Sequence, residues 1–124
     1  MIELIVLSLL LLLVQLVLPS VLALAAGNVS TAYLLSARDE APEMSKLSQR
    51  ARRASANLLE TLPAFLVLAV LSILNQTDVL MLAQIWLALR VLYVFAYLSS
   101  VAYLRSLIWS GALVCLIGMA LPLI

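Results

Sequence analysis

Four apolar stretches, each long enough to cross a bilayer, leave this chain little choice of fold. They run from about Leu4 to Ala26, Ala54 to Asn75, Val79 to Leu98 and Leu104 to Ile124. A helix needs roughly 20 mostly apolar residues to span a hydrocarbon core about 30 Å thick. With its backbone bonds satisfied internally, each stretch is expected to be a transmembrane helix. Of the 124 residues, 66% are apolar and 10% charged, against about 45–50% and about 25% in soluble domains. The expected fold is therefore all-α, an integral membrane four-helix bundle forming one domain over residues 1–124.

The scarce polar residues exclude much chemistry. The chain has no His and one Cys, so it can build neither a Ser-His-Asp or Cys-His nucleophile system nor the usual zinc sites. Cys115 alone cannot form an internal dithiol. Seven Lys and Arg against six Asp and Glu give no nucleic-acid footprint. No metal ligand set is expected, and any catalysis must use Arg, Tyr, Ser, Asn, Glu or a group carried by a ligand.

The first stretch has a small-residue pattern at Ala23 and Ala25 like that of a signal-peptide cleavage site. Glu3 in place of a basic leader and the length of the apolar run instead indicate a retained helix, with a bend at Pro19. Arg38, Lys46, Arg50, Arg52 and Arg53 supply five of the seven basic residues and lie between the first two stretches. The positive-inside bias then makes this loop, about residues 36–53, cytoplasmic, and an even number of spans places both termini on the opposite side. Pro42 and its flanking acids disfavour a helix before Met44.

A charge deep in a bilayer costs about 3 kcal/mol or more, so Glu60 and Arg90 need explaining. On the second span Arg53, Asn57 and Glu60 stand at i, i+4 and i+7, on one stripe. On the third, Arg90, Tyr93 and Tyr97 stand at i, i+3 and i+7. The second span leaves the loop side and the third returns to it, so with Arg105 these residues converge on one polar layer near that face. One reading is a Glu60–Arg90 ion pair that fixes packing. The other is a site for a small anion, favoured by the excess of Arg over Glu.

The segment from Arg50 through Arg53, Asn57, Glu60 and Pro63 to Phe65 resembles the second-helix signature of the MAPEG family, membrane-associated proteins in eicosanoid and glutathione metabolism. Arg90, Tyr93 and Tyr97, followed by Tyr103, Arg105 and Ser106, resemble its third helix and the start of its fourth, and Arg38 to Pro42 resembles the bacterial branch. The resemblance implies a homotrimer in a bacterial inner membrane, with glutathione bound between subunits on the cytoplasmic side. It implies that Arg53, Asn57 and Glu60 bind glutathione, with Arg90, Tyr93 and Tyr97 in the same pocket. Arg105 would hold the sulfur as thiolate, with Ser106 assisting.

A guanidinium in hydrogen-bond reach lowers a thiol pKa of about 8.5 without itself titrating. The implied reaction is conjugation of glutathione to a lipophilic small-molecule electrophile, or reduction of a lipid hydroperoxide, with the bilayer and further copies of the chain as partners. Two features depart from the family pattern: Trp109 stands where an aromatic hydroxyl is common, and the first helix lacks a basic residue near its end. Rival functions are a noncatalytic structural or assembly protein and a small multidrug transporter. The latter class carries its essential Glu within the first helix, which here is uncharged after Glu3. Gly111, Cys115 and Gly118 share one side of the fourth span, as close packing requires, and Tyr103 and Trp109 suit interfacial anchors.

Overall fold

The computed structural model describes residues 1–39 and 42–124, all of the regular structure in them helical. The helices are α1 (Ile2–Ala25), α2 (Thr31–Leu35), α3 (Lys46–Leu74), α4 (Leu80–Leu98) and α5 (Ala102–Ala120), with a final 3-10 turn at Leu121–Leu123. All except α2 are long and apolar enough to span a membrane. Packing follows chain order: α1 lies on α3, α3 on α4 and α4 on α5, with weaker contacts of α1 to α4 and α3 to α5.

The expected loop over 36–53 is corrected at its second half, because α3 already begins at Lys46. Hydropathy locates the lipid-embedded part of a helix, whereas its hydrogen-bonded start is set by capping and propensity. Here the Ser45 hydroxyl accepts from the Ser48 amide at 3.2 Å. Lys, Gln, Arg, Ala and Leu then sustain the helix before the bilayer is reached. The short α2 was likewise not anticipated. It is capped by Ser30, whose hydroxyl accepts from the Tyr33 amide at 3.2 Å.

Three helices end in the same way. After α1, the amides of Gly27 and Asn28 donate back to the carbonyls of Leu24 and Ala23. After α3, Gln76 and Thr77 do so to Ile73 and Ser72, and after α4, Ser100 and Val101 to Tyr97 and Ala96. This paired pattern needs a left-handed residue just past the helix. Gly27 supplies it at φ +74°, but Gln76 and Ser100 adopt +54° and +66° with side chains attached.

The apolar core fills the half of the bundle away from the long loop. The rings of Phe65 and Trp86 stack at 4.0 Å between centroids, 5° from parallel. Leu58, Leu62, Ala69, Ala83, Ala112, Leu116 and Met119 bury themselves around the pair. As the small residues of the last span required, α5 approaches α4 closely. A Cβ on Gly118 would meet Leu82 Cδ1 at 3.0 Å, and one on Gly111 would meet Leu89 Cδ1 at 3.2 Å. Buried Ser8, Ser55 and Ser72 satisfy their hydroxyls on the carbonyls of Ile5, Arg52 and Ala69. Most of α1 remains exposed, its Leu and Val side chains forming an outward apolar face of the kind lipid covers.

Candidate functional site

At the loop end, where α4 turns into α5 beside the first half of α3, the core gives way to a cluster of Arg and Tyr. Helical spacing puts Arg50, Arg53 and Asn57 on one face of α3, and the same face meets α4. There Arg53 Nε donates to the Tyr97 hydroxyl at 3.1 Å. From α5, the guanidinium carbon of Arg105 sits 4.8 Å from the centroid of the same ring, with that of Arg53 at 5.7 Å. Two cations thus converge on one phenol, each within the roughly 6 Å at which a ring quadrupole attracts them. Tyr93, one helical turn away, meets Tyr97 edge to face at 5.6 Å.

An open groove of about 500 Å³ runs beside this cluster, lined by Asn57, Tyr93, Tyr97, Arg105, Ser106, Trp109 and Ser110. A smaller hollow of about 100 Å³ adjoins it, where Arg50, Arg53 and Arg105 meet Tyr97. Ligand pockets run to about 300–1,000 Å³, so the groove has room for a small peptide-like molecule. Arg105 on its wall, with Arg50 and Arg53 in the adjoining hollow, gives it groups able to hold an anion. Guanidinium groups bind carboxylate or thiolate as fixed charges that do not titrate near neutrality.

Of the residues singled out in the sequence, Asn57, Tyr93, Tyr97, Arg105 and Ser106 line the groove, and Arg53 joins it through Tyr97. Arg90 lies behind that surface. It is 1% exposed and donates from Nη2 to Asn57 Oδ1 at 2.9 Å, with its guanidinium carbon 4.5 Å from the centroid of the Tyr93 ring. Glu60 does not pair with it: the carboxylate is exposed on the outer surface of α3, and no ion pair joins any two of the described residues. The packing reading based on a Glu60–Arg90 bridge therefore gives way to an Arg90–Asn57 hydrogen bond.

Sequence reasoning gave no site role to Arg50 and Ser110, and met Trp109 only as a departure from the family pattern and an interfacial anchor. Arg50, three residues before Arg53 on the same stripe, donates from Nη1 to the Leu98 carbonyl at 3.3 Å, which places a cation on the C-terminal end of α4, where the helix dipole favours one. Trp109 and Ser110 reach the groove because they follow Arg105 and Ser106 by one helical turn, a periodicity that the sequence does carry. Trp109 is 38% exposed and adds an apolar wall beside the Arg cluster.

A model of the MAPEG family matches residues 3–124, nearly the whole chain. No curated protein and no solved structure matches it.

Proposed function

The chain belongs to the MAPEG family, and from that premise we propose that it binds glutathione in the Arg-lined groove and activates the tripeptide's thiol. The observation that carries this reading is the convergence of Arg53 and Arg105 on Tyr97 beside a groove of about 500 Å³, with no carboxylate on its lining among the described residues. Glutathione has two carboxylates, one ammonium and one thiol. Arg50 and Arg53 suit the carboxylates, while Asn57, Tyr93 and Ser106 supply neutral hydrogen-bonding groups. Arg105, flanked by Ser106 at the start of α5, suits the thiolate. When bound, the thiol would supply a nucleophile for lipophilic electrophiles or a reductant for lipid hydroperoxides.

Arg105 would act by charge alone, favouring the ionised sulfur in a partly buried setting where Coulomb interactions exceed those in bulk water. Tyr97 would hold the cations in place, since its ring faces both guanidiniums and its hydroxyl accepts a hydrogen bond from Arg53 Nε. Trp109 and the apolar surface of α5 would admit the second substrate from the bilayer. The end of the bundle that carries Arg38 and the basic first turns of α3, with Lys46, Arg50, Arg52 and Arg53, would face the cytoplasm of a bacterial inner membrane.

Glu60 supports assembly as part of the same reading. An exposed carboxylate about two turns inside a spanning helix is expensive against lipid, and no cation among the described residues reaches it. A neighbouring subunit in a homotrimer would cover it, or the ligand's ammonium would pair with it there. A noncatalytic packing role draws its support from Arg90, which is turned wholly inward onto Asn57.

The test is calorimetry of glutathione with the detergent-purified chain, with an ultraviolet difference spectrum for thiolate on the same sample and crosslinking for the trimer. Saturable binding with thiolate absorbance is the expected result. Binding without that absorbance leaves a ligand site and removes the activation step. No binding at millimolar glutathione sinks the proposal in favour of the packing role.

A further inference from the structure

A second hollow, of about 440 Å³, opens on a different face of α3, between the end of α1, α2 and the start of α3. Its walls are stitched together across a long stretch of chain. The Ser48 hydroxyl donates to the Pro19 carbonyl at 2.8 Å, and the Ser45 amide donates to Asn28 Oδ1 at 3.0 Å. These bonds fix the first turn of α3 against the last turns of α1, so the hollow belongs to the helical framework.

Its lining divides by exposure. Apolar Ala23 is buried and Leu34 and Met44 are half-buried, forming a floor, whereas Arg38, Arg52 and Glu43 are exposed at the mouth. Ala23 lies inside the apolar run of α1, and Arg52 lies just outside the apolar run of α3. The hollow therefore straddles the boundary between hydrocarbon and headgroups, at the end of the bundle that carries most of the basic residues. Arg38 is held there by its own backbone. It adopts a left-handed φ of +58°, which turns its side chain back so that Nε and Nη2 donate to the Leu34 carbonyl at 3.2 and 2.9 Å. Non-glycine residues in such conformations concentrate where function requires a side chain in a set place.

We infer that this hollow binds an anionic phospholipid of the adjoining leaflet, with its phosphodiester between Arg38 and Arg52 and the start of its acyl chains on Ala23, Leu34 and Met44. Among the described residues of the lining, two guanidiniums stand against the carboxylate of Glu43, and a phosphodiester with an uncharged headgroup would neutralise the positive charge left over. Planar guanidinium groups engage phosphate oxygens in pairs. An apolar floor that starts on the spanning helix α1 at Ala23 and continues over Leu34 and Met44 favours an amphiphile over a soluble anion. The hollow shares no lining residue with the Arg-lined groove, so the inference stands whether or not glutathione binds there.

The experiment is native mass spectrometry of the full chain in detergent, titrated with palmitoyl-oleoyl-phosphatidylglycerol, with phosphatidylcholine and inorganic phosphate as separate arms. One tightly held phosphatidylglycerol per chain is expected, displaced by neither competitor. The double variant Arg38→Gln, Arg52→Gln should weaken it about ten-fold or more, given that each basic residue contributes measurably to binding an anionic surface. Lys46→Gln, at the same end but outside the hollow, should leave it unchanged. An equal loss in Lys46→Gln would reduce the effect to general attraction, and competition by inorganic phosphate would make the occupant a soluble ion; either overturns the proposal. Should the double variant fail to fold, a photoactivatable phosphatidylglycerol on the unaltered chain decides. Crosslinks in residues 19–52 sustain the inference, and crosslinks confined to other segments reject it.

Discussion

Arg90 on α4 reaches across to α3 and donates from Nη2 to Asn57 Oδ1 at 2.9 Å, with its Nε and Nη1 buried and unpaired among the described residues. Asn57 therefore has two faces, one anchored by a buried cation and one turned to the Arg-lined groove. Arg90 acts on the site through Asn57, as a positioning residue.

This relationship has a measurable coupling. Asn57→Ala should remove the one hydrogen-bonded partner that a buried guanidinium has among the described residues, and Arg90→Leu should leave the Asn57 amide oxygen without that partner. A hydrogen bond to a charged group contributes about 1.5–3 kcal/mol. A double-mutant cycle of unfolding in detergent should therefore show a coupling of about that size. Additive single effects would show that the contact contributes nothing to stability.

Tyr97→Phe separates the role of the ring from that of the hydroxyl. The ring still faces Arg53 and Arg105 in this variant, but the acceptor for Arg53 Nε is gone. Glutathione binding by calorimetry should weaken about ten-fold, the equivalent of 1.4 kcal/mol, with the helical content of the chain unchanged. Arg105→Ala should behave differently, retaining helicity and losing the thiolate absorbance. An unchanged absorbance in Arg105→Ala would remove that residue from sulfur activation.

The spans and the Arg53–Asn57 stripe were legible in the sequence because lipid selects for length and apolarity, and helical periodicity fixes which residues share a face. Inter-helix pairing was not legible. Glu60 and Arg90 are the two intramembrane charges and would be paired on charge alone, yet rotation of α3 turns Glu60 outward and gives Arg90 to Asn57. Periodicity states which residues share a stripe and says nothing of what that stripe meets. The start of α3 at Lys46 was hidden for a different reason, since its first turns are polar and helical at once.

Helix ends were the other blind spot, and they yield a prediction. Ser100 occupies the left-handed position after α4 at φ +66°, where a side chain is disfavoured by about 1–2 kcal/mol relative to glycine. Glycine gives back part of that through its greater freedom in the unfolded chain. Ser100→Gly should therefore raise stability by about 0.5–1 kcal/mol, read as a higher midpoint of thermal unfolding in detergent. Gln76→Gly, at the equivalent place after α3, should act in the same direction. A lower midpoint in both variants would mean that the serine and glutamine side chains contribute contacts of their own.

Gly118 tests how tightly α4 and α5 are matched. A Cβ there would meet Leu82 Cδ1 at 3.0 Å, closer than side chains normally pack, but the atom it meets is the end of a flexible, half-buried side chain. Alanine also gains about 1 kcal/mol of helix propensity over glycine. Gly118→Ala should therefore be close to neutral, with Leu82 moving aside. Gly118→Leu has no such escape, because its added atoms must enter the space between the two helix backbones, and overpacking of this kind costs about 1–3 kcal/mol. Unfolding in detergent should rank the two variants well apart. If both are equally tolerated, α5 is free to slide away from α4. The stripe of Gly111, Cys115 and Gly118 would then be incidental to the fold.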